Sequence, residues 1–155
     1  MLSAKATELL QPLLEVLPLN EALANLTPSA AWGGPVLARA EAIEDTLPNE
    51  SLKAGLWLYV DDLDRSHRIS QGIDTSLGSW WHGIMHRREG DFSNSKYWFR
   101  RAGTLPFHIE GYDPYSYVDA VAAARGTNPS DLVVLQRSEW CALFSFCADK
   151  DAGGS

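Results

Sequence analysis

The sequence predicts an all-α fold, a single-domain bundle of six or seven helices around an antiparallel helical hairpin. Three observations predict it. Apolar residues recur at three- and four-residue spacing along most of the chain. Proline and glycine fall between those runs, where helices start and stop. The 155 residues suit one domain with one sizeable core, here taken as 1–150, and a disordered tail is expected over 151–155.

The elements follow in order. Ala4 to Val16 reads as a first helix, kinked or interrupted near Pro12. Asn20 to Gly34 is loop-like. Pro35 suits a first helical position, and Val36, Ala40, Ile43 and Leu47 then recur at helical spacing. Asn49 is a good N-cap for a long helix from Glu50 to about Gln71, on which Leu56, Val60, Leu63 and His67 make one inward stripe. Leu77 to Arg88 is the next helix, with a turn at Gly90-Asp91. Ser93 or Asn94 caps the following helix, which Gly103 and Pro106 close. Pro114 to Arg125 is a sixth helix. Asn128, Pro129 and Asp131 start a seventh, which runs to about Cys147.

Charge excludes some functions. The formal net charge is −7, which argues against nonspecific nucleic-acid binding and against an anionic membrane surface. No apolar run has the roughly 18 residues of a membrane span. The N-terminus shows no small-residue cleavage site, so no signal peptide is expected. Cys141 and Cys147 point to different faces of one helix and should be reduced core residues of a cytoplasmic protein. Arg65, Arg68, Arg87, Arg88, Lys96, Arg100 and Arg101 crowd one stretch. They form either a solvated face balanced by Asp61, Asp62, Asp64, Glu89 and Asp91, or a local patch that attracts anions.

The stretch from Leu77 to Gly103 carries the chemistry. His82, His86 and Glu89 follow the spacing H-x3-H-x2-E and fall within about 60° of arc on one helical face. Histidines four apart on a helix can reach one metal ion. His67, level with His82 across the short 72–76 connection, could join them. Glu139 lies on an inward stripe with Leu132, Leu135, Leu143 and Phe146, and a buried carboxylate needs a partner. That partner is an arginine such as Arg100 or Arg101, or else one of the histidines.

Two resemblances bear on the same stretch. Ser79 to Pro106 is similar to a single tetratricopeptide repeat, with Gly83, Gly90, Ser95, Phe99 and Ala102 at that repeat's small, turn, small, aromatic and small positions. This implies a helix–turn–helix hairpin in which His82 and His86 stand where leucine and tyrosine are usual. The block WHGIMHRREGDFSNSKYWFRRAG, preceded by DDLDRSHRISQ, resembles a family of uncharacterised bacterial and fungal proteins. That likeness implies no activity.

The leading expectation is a small metal-dependent hydrolase acting on an anionic or polar small molecule. His67, His82, His86 and Glu89 would hold a divalent ion such as Zn, Fe or Mn. Glu89, His86 and Glu139 are the candidate acid–base groups. Arg87, Arg88, Lys96, Arg100 and Tyr97 are the candidate substrate contacts. A homo-oligomer is compatible with these totals. One alternative is a helical interaction module with a groove rich in Trp and Tyr. Another is metal-free His/Glu acid–base catalysis. His108 is placed on the surface in preference to a loop closing over the site.

Overall fold

A computed structural model describes residues 1–152, with side chains through 150. Among the described residues there are eight helices and no strand: α1 Ala4–Leu14, α2 Gly34–Glu44, α3 Glu50–Tyr59, α4 Leu63–Ser70, α5 Ser76–Arg88, α6 Phe92–Ala102, α7 Pro114–Ala123 and α8 Ser130–Ala152. None is long and apolar enough to cross a membrane. α8 carries on through Ala152, so the first two residues of the expected tail are helical. Residues 153–155 lie outside the described residues.

The eighth helix arises because the stretch from Glu50 to Gln71 is two helices. α3 ends at Tyr59. Asp61 then takes a left-handed backbone (φ 64°), a conformation Asp tolerates better than most residues. Asp62 restarts the chain as an N-cap, its side chain accepting from Arg65 N at 3.1 Å. The chain doubles back there. Ser66 Oγ donates to Ala54 O at 2.8 Å, whereas one straight helix would hold residues twelve apart roughly 18 Å from each other. The apparent stripe from Leu56 to His67 therefore spans a corner.

α5 is the central element. From Leu77 to Arg88 every residue but Ser79 is buried. It forms a hairpin with α6, turned by Gly90 in the left-handed region (φ 86°). α6 is capped by Asp91, which accepts from Asn94 N at 3.3 Å, rather than by Ser93 or Asn94. The helices pack closely because Gly83 has no side chain. A Cβ there would lie 2.5 Å from the Phe99 ring, and Ser95 Oγ donates to Gly83 O at 2.6 Å. On its other side α5 meets α3 and α8. Trp81 covers Gly55, whose carbonyl accepts from Trp140 Nε1 at 2.9 Å. Trp57, Trp80, Trp81 and Trp140 are all core residues, as are Cys141 and Cys147.

Candidate functional site

α4 and α5 bring three histidines together. The His67 ring lies edge-on to His82 and His86, with centroids 4.8 and 5.3 Å away. His82 and His86 stack on each other at 4.7 Å. One nitrogen from each of the three falls within 4.8 Å of the others. His82 and His86 are buried, and His67 is half-buried, so it forms the side open to water. α6 supplies the far wall, where Trp98 stacks on His82 at 3.9 Å.

The surroundings set the chemistry of each ring. His86 Nδ1 lies 2.5 Å from Glu89 Oε1, and its Nε2 lies 3.4 Å from Asn94 Nδ2. Glu89 thus favours the tautomer with hydrogen on Nδ1, which leaves the Nε2 lone pair as an acceptor, met here by the Asn94 amide. Burial, with His86 and then His67 nearby, lowers the His82 pKa to about 4. His82 is therefore neutral at pH 7. Its Nδ1 is buried and has no protein partner. An unpaired nitrogen on a neutral imidazole beside two other histidines suits a metal ion.

Glu89 is correspondingly better placed to orient His86 than to bind the same ion as all three histidines. It does form a second candidate group with His86 and Asp91, but Asp91 is already the cap of α6. Beside Glu89 opens a cleft of about 270 Å³ between the 28–31 loop and Asp61, Asp62 and Asp64.

The other expected site residues lie elsewhere. Arg87 and Arg88 are 0% and 1% exposed, on the face of α5 turned into the protein, so neither reaches a substrate. Arg87 makes two 2.8 Å bonds to Glu139 and lies 4.6 Å over the Tyr117 ring. Tyr112 donates to the same carboxylate. Burial acts to lower the Arg87 pKa, but the Glu139 carboxylate outweighs it and the guanidinium stays charged. Glu139 is thus the partner of Arg87, not of Arg100, Arg101 or a histidine, and it is removed from the catalytic set. Arg88 donates to Leu58 O at 2.7 Å, to Asn25 O at 2.9 Å and to Asp61 Oδ1 at 2.6 Å. Burial pushes Asp61 up and Arg88 down, and the bond between the two acts against both shifts.

Lys96 pairs with Asp119 at 2.7 Å, away from the histidines. Arg100 and Tyr97 are exposed on α6, and Arg101 lies 5.4 Å over the Trp98 ring. His108 is a surface residue, 3.6 Å from Glu110. Four of the six tryptophans, Trp57, Trp80, Trp81 and Trp140, are buried in the core.

Asn94 and Trp98 were not expected at the site, yet a signal for them existed. In an antiparallel hairpin turned at Gly90, residues equidistant from it face each other. That pairs His82 with Trp98 and His86 with Asn94. No family model, curated protein or solved structure compared with this chain matches it.

Proposed function

We propose that His67, His82 and His86 hold a divalent metal ion, and that the centre is hydrolytic. The observation that carries the reading is the convergence of three imidazole nitrogens within 4.8 Å, one of them on a buried ring with an unpartnered atom. Tetrahedral ligands at ordinary zinc–nitrogen length stand about 3.3 Å apart, so the rings close in on the ion. Three protein ligands leave one position for water, the arrangement of hydrolytic zinc sites. Glu89 would act through His86, by fixing its tautomer and raising its basicity.

The substrate reading changes with the geometry. Arg87 and Arg88 cannot orient an anion, and the adjoining cleft carries carboxylates. A neutral or cationic polar small molecule fits this surface better than an anionic one.

Elemental analysis of the purified protein, before and after chelation and add-back of zinc, tests the metal. The expected result is one ion per chain, lost in His67→Ala, His82→Ala and His86→Ala. A protein that takes up no zinc, cobalt or manganese at millimolar concentration would sink the reading. A panel of chromogenic amides and esters then tests hydrolysis, with loss of turnover on chelation expected. A second reading, metal-free acid–base catalysis, rests on the 2.5 Å contact between His86 and Glu89. It predicts turnover that survives chelation.

A further inference from the structure

We propose that a recess along α8 binds a straight-chain alkyl carboxylate of the medium-chain fatty-acid class. The recess holds about 510 Å³ and is lined by Leu19, Asn20, Val134, Arg137, Ser138 and Cys141, with Met1 also on its wall. Val134, Arg137, Ser138 and Cys141 follow one another at helical spacing, so they share one face of α8. Leu19 and Asn20 come from the loop that follows α1.

Two observations there point to a ligand. The first is apolar surface left in water. Among the described residues, Met1 and Val134 are the most exposed of the large apolar side chains, at 93% and 57%, and both border this recess. An apolar occupant would bury that surface. The second is a fixed cation without a counter-charge. Arg137 Nε donates to Ala22 O at 2.9 Å, and its Nη2 donates to Asn20 O at 3.0 Å. Asn20 itself lines the recess, so these bonds hold the guanidinium at its wall. Arg39, Arg65, Arg87 and Arg88 each pair with a carboxylate. Among the described residues none pairs with Arg137, and its Nη1 bonds to no acceptor. The Ser138 hydroxyl beside it likewise has no partner among the described residues.

Those donors and walls define the ligand class. A carboxylate brings two acceptor oxygens and one negative charge, which match Arg137 Nη1 and the Ser138 hydroxyl. The apolar lining is Met1, Leu19, Val134 and Cys141, with no aromatic ring, which suits an alkyl chain better than an aryl group. A few polar groups in a mostly apolar recess of this volume are the ordinary make-up of a small-molecule site. The net charge of −7 disfavours polyanions, so a single carboxylate fits better than a phosphate dianion.

The test uses the full chain labelled with nitrogen-15 and titrated with octanoate, 1-octanol or acetate. Octanoate should shift the Arg137 Nε–H and the Val134, Ser138 and Cys141 amides saturably. Acetate lacks the chain and 1-octanol lacks the charge, and each should bind at least tenfold more weakly. Val134 is exposed, so Val134→Glu and Val134→Lys should both keep the fold. Val134→Glu should weaken octanoate binding at least tenfold by repulsion, whereas Val134→Lys should not weaken it. Arg137→Gln removes the cation and should weaken it about tenfold. The proposal falls if these resonances do not saturate, if 1-octanol binds as tightly as octanoate, or if Val134→Glu and Val134→Lys bind it equally. The same resonances moving with protein concentration alone would assign the recess to a second copy of the chain and overturn the proposal.

Discussion

His86 and Arg87 are neighbours on one helix, and their buried surroundings are opposite. Arg87 and Arg88 are surrounded by acceptors: Glu139, Gln136, Asp61 and two backbone carbonyls. Their guanidinium ends are met by opposite charge. The histidine face has three rings, one carboxylate at its rim and a buried nitrogen with no partner. Both faces are polar groups in a core, where unpaired polarity is costly. The arginine face neutralises its charge internally, although Arg87 Nε and Arg88 Nε are also buried without partners, and its work is to hold α5 against α3 and α8. The histidine face leaves part of its bonding capacity unused, and there a ligand has something to add.

The comparison breaks most visibly on the arginine side. Glu139→Ala leaves a buried guanidinium without its counter-charge and should cost about 3–5 kcal/mol in chemical denaturation. A loss under 1 kcal/mol would mean that the Arg87 network is not structural. Metal uptake measured on whatever fraction remains folded should be unchanged.

Acid separates the faces next. In metal-free protein the folded His82 pKa, about 4, lies below its unfolded value. The unfolded chain therefore binds the proton first as pH falls. The His82 contribution to stability is present above about pH 6.5 and is lost toward pH 4, by about 2–3 kcal/mol. Urea midpoints across this window check the slope, and His82→Ala should flatten it. Bound zinc should hold stability up until protons displace the ion.

At neutral pH without metal, His82→Ala should cost only about 1 kcal/mol. Lost stacking on Trp98 is offset by removal of an unsatisfied nitrogen. The same variant should lose metal uptake. A loss of about 3 kcal/mol with no metal in the wild type would place the histidines with the core.

The smallest stability effect is expected at the rim. Glu89→Gln should change stability by less than about 0.5 kcal/mol, since the side chain is 39% exposed. Metal affinity should still fall roughly 10- to 100-fold, because His86 loses the carboxylate that sets its tautomer. Unchanged affinity would show that Glu89 takes no part in the centre.

Much of this was legible from residue spacing. The His82–His86–Glu89 face, the inward Glu139 and the surface His108 all followed from helical periodicity or local composition. The arginines misled because charge was read as solvent-facing. Arg87 and Arg88 stand beside His86 on a helix buried on nearly every side, and no helical pattern shows that when Trp, Gly and Arg share all its faces. Their partners, Glu139 and Asp61, come from distant parts of the chain. The α3–α4 corner was hidden because residues 56, 60, 63 and 67 keep helical spacing across it. The break depends on one left-handed residue, and an aspartate there carries only a weak local signal.

That corner has an evolutionary consequence. Asp61 adopts the backbone that turns the chain and also supplies the carboxylate for Arg88. Glycine would keep the turn and strip the charge. Glutamate would keep the charge and resist the turn. Asparagine keeps the turn and an acceptor but not the charge, which makes it the mildest single step away. Drift at position 61 is therefore coupled to position 88, and the path by which α4 delivers His67 to α5 is held by a pair of residues that never touch the histidine. In an alignment of descendants, 61 and 88 should change together even where 67, 82 and 86 have been lost.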